Sequence, residues 1–527
     1  MGARTRHGSA AHADRDLAGG RRRRPGHADA LSGGAPAPHR GGTTRDRDVR
    51  AVAAPVADRP RVIDSGCRVT VRRREATMDR ADVAVVGAGY AGLCAARALR
   101  AAGREVVVLE ASERVGGRTL TARVGDGWAV DLGGQWISTA HTRFAALAEE
   151  YGAATYPPPE GADLLVEGVV RRPFTGARPP LPTFVLIVLA QAMWRLERMA
   201  ARVDLARPWA APGADRLDAM TAATWLRRNL PERRARNLAE VMIGEELCVD
   251  VGSISMLGLL TTIRAAGGVE AGVEAETVTR LFVDGADGPA LAVAAELGGS
   301  VRLGAPVTGI RRQADGAVVT FGSGEVHAEH VIVAVPPPLS GRIAYDPPLP
   351  AARDQLTQRM PMGSVLKAFA VYERPFWRDD LLTGQSLNLH DPVPVTFDAT
   401  RPGGPGVLGA LVPGRAAQRL AALPPAERRA MVIGSLVRAF GYTAREPVEW
   451  HEKVWADDPY TRGGYGAFFP PGVLTTVGSA LRQPVGPIHW AGSETATEWS
   501  GYIEGAIRSG ERAAAEVLAA QRATATA

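Results

Sequence analysis

The spacing Gly87-x-Gly89-x-x-Gly92, set directly behind the run 82–86 of alternating Val and Ala, constrains this chain more than any other feature. Such a run suits a strand buried on both faces of a parallel sheet. The glycines then open a helix expected over residues 90–102. Gly87 allows a tight turn, Gly89 lets the backbone approach a pyrophosphate, and Gly92 lets helix and strand pack closely. The bare helix N-terminus offers unpaired N–H groups and partial positive charge to phosphates. A second apolar run, Val106–Leu109, ends at Glu110, where a carboxylate suits ribose hydroxyls and repels the extra phosphate of NADP. Alone, the glycine spacing also fits an ordinary turn before a helix. Glu110 tips the reading to a dinucleotide.

Two further stretches narrow the ligand. In Gly116-Gly117-Arg118 the glycines admit the backbone beside a cofactor, and the planar fork of Arg118 can neutralise pyrophosphate charge. A turn with a solvated Arg is the bland alternative. Far downstream, His489-Trp490-Ala491-Gly492-Ser493-Glu494-Thr495 fits the flavin end of the same molecule. The cofactor expected is therefore FAD.

The chain has 527 residues, 46% of them hydrophobic, enough for a large core and more than one domain. Its formal charge of +6 misleads. Residues 1–77 carry seventeen Arg against eight acidic residues, so the remainder is slightly acidic and makes no case for nucleic acid. That segment, rich in Arg, Ala, Gly and Pro, is expected to be disordered, with Met78 as the natural start. No apolar run reaches the ~20 residues that span a bilayer. The nearest, Phe184–Trp194, reads as a buried or interfacial helix. Cys67, Cys94 and Cys248 show neither disulfide nor metal spacing, which points to a reducing, cytoplasmic setting and to no metal.

With the C-terminal strings in view, the chain resembles the flavin-containing monoamine oxidase family over roughly residues 80–520. The strings are Gly463-Gly464-Tyr465-Gly-Ala-Phe-Phe469-Pro470-Pro471-Gly472 and Ala491-Gly492-Ser493-Glu494-Thr495-Ala-Thr497-Glu-Trp499-Ser500-Gly501-Tyr502. Met362-Gly363-Ser364-Val-Leu-Lys367 and Asp131-Leu-Gly133-Gly134-Gln135-Trp136 fit as well. The resemblance implies an α/β fold: a doubly wound, Rossmann-like FAD domain near 79–155, 284–350 and 455–520, with an α+β substrate domain near 156–283 and 351–454. Strand-like runs at 301–303, 317–321 and 330–335 suit the cofactor sheet. Residues 184–240 read as helical, with Pro231 at a helix start.

The resemblance also implies roles. Tyr465 and Tyr502 would sandwich a substrate amine in front of the flavin, excluding water and favouring the neutral amine. Either tyrosine alone also fits a core position. Lys367, one of two lysines, sits in the apolar stretch 365–371 and would assist dioxygen reduction through a water; a strand residue facing solvent is the alternative. Trp455 would pack beside the flavin, or serve as plain core. Gly134, Gln135, Trp136 and Gly492 would bind the cofactor, Glu494 would accept from a flavin-side hydroxyl with Ser493 and Thr497 nearby, and Val307 would contact the adenine side. Gly464 stands where the mammalian members carry the Cys that holds the flavin covalently, so non-covalent FAD is expected.

The function expected is oxidative deamination of a primary monoamine or diamine by dioxygen, giving aldehyde, ammonia and hydrogen peroxide. The acidic run Glu270, Glu274, Glu276 could greet a distal ammonium or be a solvated face. An L-amino-acid oxidase is the nearest rival, and a non-catalytic FAD-binding redox module is the rival from another class. Partners are the amine and dioxygen, without nucleic acid or membrane, and a homodimer is admitted.

Overall fold

The apolar run behind the glycine loop forms the strand Asp79–Val86, and Val83, Ala84 and Val85 within it are fully buried. The computed structural model describes residues 79–176, 178–269, 279–322 and 324–526. The expectations for residues 1–77, for Met78 and for the run Glu270, Glu274, Glu276 fall outside them. Asp79–Val86 pairs in parallel with Val106–Leu109 on one side and Gly324–Val333 on the other. Val301–Arg302 and Ile488–Trp490 add further parallel strands, while Gly316–Phe321 and Val307–Gln313 fold back antiparallel. With Ala344–Asp346 these make an eight-stranded mixed sheet. Its parallel heart is the arrangement that covered faces allow.

Two helices cover one face. Tyr90–Ala101 follows the glycine loop, and Ile503–Thr526 lies against it so closely that a Cβ on Gly510 would stand 2.1 Å from the Ala91 carbonyl. Leu93 and Leu99 are fully enclosed there, each worth about 1.5–3 kcal/mol of burial.

A second, seven-stranded sheet runs in the order Glu449–Val454, Val365–Tyr372, Gly406–Pro413, Val395–Asp398, Leu382–Asn388, Ala162–Glu167, Val170–Phe174. Val365–Tyr372 pairs with antiparallel strands on both edges and is buried along its whole length because both its faces are packed, Phe369 and Val371 in one core and Leu366 and Ala368 in another. The stretch expected to be helical contains Thr183–Ala200, Ala214–Asp218, Ala222–Asn229 and Arg233–Leu247. Pro231 lies before the helix and not at its first turn. Glu232 is the cap, its carboxylate accepting from the Ala235 N–H at 2.6 Å. In Thr183–Ala200, Val185 and Leu196 face a helical core while Phe184, Ile187 and Trp194 are more than half exposed.

Main-chain bonds tie the start of Val365–Tyr372 to the downstream glycine string. Gly464 N–H donates to Gly363 O at 3.0 Å, Gly363 N–H to Gly466 O at 2.9 Å and Phe468 N–H to Pro361 O at 3.1 Å. Among the described residues no helix is long and apolar enough to cross a membrane, and no cluster of His, Cys, Asp or Glu could hold a metal.

Candidate active site

The glycine loop is a cradle that side chains would fill. Gly87 has φ +98°, and a Cβ on Gly92 would lie 1.9 Å from the Gly87 carbonyl. Only glycine lets the helix start this close to the strand. A Cβ on Gly117, at φ +60°, would come within 3.2 Å of the Gly89 Cα, so the two glycine segments touch through bare backbone. Gly89 caps helix Tyr90–Ala101 without a side-chain bond, leaving amides for an anion. Glu110 closes the loop, accepting the Ala88 N–H at 2.7 Å and the Ser112 N–H at 2.9 Å.

Arg118 and Glu494 meet. The guanidinium forks onto the carboxylate at 2.8 and 3.1 Å, and also donates to Ser493 Oγ at 3.2 Å and to the Tyr465 carbonyl at 2.5 Å. Glu494 accepts the Ala467 N–H at 3.0 Å. Burial works to raise the Glu494 pKa, but the Arg118 charge and these bonds outweigh it and hold the carboxyl below its ordinary range. Gly492, at φ +116°, turns the chain into this pair and donates its N–H to Ser509 Oγ at 3.0 Å.

Lys367 is 3% exposed, so the solvent-facing alternative fails. Its Nζ donates to Gly133 O at 2.8 Å and to Gln135 Oε1, and stands 5.1 Å from the Trp136 ring centroid and 5.4 Å from that of Phe397. Burial lowers its pKa, against the pull of the Asp131 carboxylate. Asp131 is pushed up by burial, opposed by bonds from the Thr121 hydroxyl and the Ala286 N–H. Gln135 Nε2 is buried with no bonding partner. Trp455 donates its ring N–H to Leu132 O at 2.8 Å and joins the same wall.

Tyr465 and Tyr502 are both half-buried. The Cys248 thiol, buried near the Tyr465 phenol, donates to Glu245 O at 3.9 Å. Burial first, then Cys248, Glu245 and Glu246, raise the phenol's pKa well above its ordinary value. Tyr502 packs with Trp499 at 5.2 Å and 84° and with His141 at 5.5 Å and 56°. Sequence reasoning missed His141. It sits just before the helix Thr142–Glu150, where an isolated histidine reads as a surface cap, and no local pattern marks it. Asp131 carried no assigned role in the sequence, because the charge it feels from Lys367 comes from a strand more than two hundred residues downstream.

One cavity of about 2430 Å³ is bordered by Gly87, Gly89, Glu110, Gly117, Arg118, Gly134, Gln135, Trp136, Val307, Lys367, Trp455, Tyr465, Gly492, Ser493, Glu494 and Tyr502. Gly92 lies beneath the loop and stays outside it. The volume exceeds the ~300–1,000 Å³ of a single-ligand pocket, leaving room for a dinucleotide and a substrate together. The bare cradle, the uncapped helix start and the orphaned Gln135 amide all fit FAD.

Parallel strands, a glycine cradle and an acidic strand end define a dinucleotide-binding oxidoreductase fold. The family profile for flavin containing amine oxidoreductases matches residues 90–518, and one for pyridine nucleotide-disulphide oxidoreductases matches residues 40–131. A flavin-containing monoamine oxidase, AofH, of Mycobacterium tuberculosis is 40% identical, covering 83% of this chain and 96% of that protein. An L-amino acid dehydrogenase of Synechocystis is 36% identical over 83% of this chain and 94% of its own. A putrescine oxidase structure with putrescine bound superposes with a TM-score of 0.81 at 36% identity, covering 84% of this chain and all of that one. The chain belongs to the flavin-containing amine oxidoreductase family, and its cofactor is FAD.

Proposed function

We propose that this flavin-dependent amine oxidase deaminates a primary amine to aldehyde and ammonia in the cavity that Tyr465 and Tyr502 both line. The observation that carries the reading is the single cavity joining the glycine cradle, the buried Lys367 and both phenols. When bound, FAD supplies the two-electron acceptor that dioxygen regenerates with release of hydrogen peroxide. Gly87, Gly89 and Gly117 would give its pyrophosphate backbone access, Gly92 lets the helix start pack beneath them, Glu110 would meet the ribose, and Val307 would border the adenine. Gly134, Gln135, Trp136, Trp455, Gly492, Ser493 and Glu494 would border the flavin end, and Arg118 would face the pyrophosphate while holding Glu494. Tyr465 and Tyr502 hold the amine in an apolar slot where desolvation favours its neutral, oxidisable form. Lys367 offers the dioxygen step a cation that burial has made ready to lose its proton.

The same reading assigns 79–155, 284–350 and 455–520 to cofactor binding and 156–283 with 351–454 to substrate binding. It takes FAD as non-covalent because Gly464 precedes Tyr465, and it takes the enzyme as cytoplasmic. Acid precipitation should leave yellow flavin in the supernatant; a coloured pellet would contradict this. The reading takes the substrate as a monoamine or a diamine, in a cavity whose lining includes Glu245 and Glu246. Anaerobic mixing tests the whole. Bleaching by amines supports it, bleaching by amino acids alone favours an L-amino-acid oxidase, and no bleaching favours a non-catalytic flavin module.

A further inference from the structure

We infer that His141 is a positioning residue for Tyr502, acting through the indole of Trp499. The inference rests on the amine-oxidase reading for its functional meaning but not for its geometry. Tyr502 ends a turn that begins at Trp499, to whose carbonyl it donates its N–H at 3.1 Å. That turn is strained. Trp499 has φ +53°, a conformation bulky residues rarely hold, so the surroundings must enforce it.

Three contacts do so. Trp499 N–H donates to Ala265 O at 2.7 Å, anchoring the turn to the helix Met256–Ala265. Gly505 has no side chain, and a Cβ there would lie 2.1 Å from the Trp499 carbonyl. The third is His141, whose ring meets the indole at 4.6 Å and 85° and also leans on the Tyr502 ring. His141 is itself fixed. Its Nδ1 accepts the Ser138 N–H at 3.3 Å, which in the neutral ring leaves the proton on Nε2. That Nε2 is buried without an oxygen or nitrogen partner, as expected of an N–H directed at an aromatic face. The following helix is locked to the one after Tyr502: Glu504 accepts from the N–H groups of Arg143 and Phe144 at 3.1 and 2.8 Å. The imidazole therefore props the turn from a foundation shared with the phenol.

Two measurements separate this role from general stability. In fluorotyrosine-labelled protein, with the Tyr502 line assigned from Tyr502→Phe, fluorine NMR should show that line shifted or broadened in His141→Ala and restored in His141→Phe. An unchanged Tyr502 line in a folded His141→Ala overturns the inference whatever the substrate. Should His141→Ala fail to fold, His141→Gln, which keeps the volume and loses the ring, takes its place. Anaerobic flavin reduction by putrescine and benzylamine supplies the second readout. His141→Ala should weaken the apparent amine affinity about threefold to tenfold, the range such ring pairs carry, with the limiting rate less affected. In a Tyr502→Ala background the same change should add nothing, and additive losses would also overturn the inference. Failure of both amines to reduce wild-type flavin would count against the amine-oxidase reading, while the Tyr502 fluorine line would still decide the role of His141.

Discussion

Burying a histidine beside Tyr502 has a measurable consequence in acid. Desolvation holds His141 at about 4, below its ordinary value of 6.5, and the Glu504 charge only partly offsets this. Between those values the unfolded chain takes up a proton that the folded one refuses, so stability falls as pH drops through that window. The loss amounts to about 3 kcal/mol. His141→Phe should shrink the difference between the urea midpoints at pH 7 and pH 4.5; an unaltered difference would show that His141 does not carry it. Lys367 gives a kinetic counterpart. Lys367→Met should slow reoxidation of photoreduced flavin by dioxygen at least about tenfold while amine-driven reduction continues, as removing a placed charge does. The lysine was legible in the sequence because lysine is scarce here and this one lies among Val, Leu, Ala and Phe. His141 was not, since its partners lie more than three hundred residues downstream.

At the level of elements, the glycine loop tolerates no side chain. Gly92→Ala would drive a methyl into the Gly87 carbonyl and lever helix Tyr90–Ala101 off the strand. The purified variant should be colourless and should not regain flavin absorbance on adding FAD. The cradle could be read from the chain because its chemistry is local: a run of Val, a fixed glycine spacing and an acidic residue at the next strand end. The Arg118–Glu494 fork could not, because each residue alone suits a cofactor contact and only the fold shows them spending their charges on one another. Glu494→Ala leaves the quarter-exposed Arg118 uncompensated and should cost about 3 kcal/mol, read as a lowered denaturant midpoint. An unshifted midpoint would mean that water or another acid takes over.

For the molecule as a whole, the cradle gathers pieces from both ends of the described chain, so cofactor and fold are thermodynamically linked. FAD at about a hundred times its Kd should stabilise the protein by about 2.7 kcal/mol, seen as a melting temperature that climbs with FAD concentration. A melting temperature indifferent to FAD would detach the cradle from the fold. The main-chain bonds that join Gly363 to Gly464 and Gly466 reach further than stability. Lys367 lies four residues beyond one rail and Tyr465 sits on the other, so their spacing is clocked by peptide units and not by side-chain fit. A Cβ on Gly363 would stand 2.4 Å from the Gly464 carbonyl and one on Gly463 2.2 Å from the Gly363 carbonyl, so the rails admit no side chain there, and one inserted residue in either would slide the ammonium out of phase with the phenol.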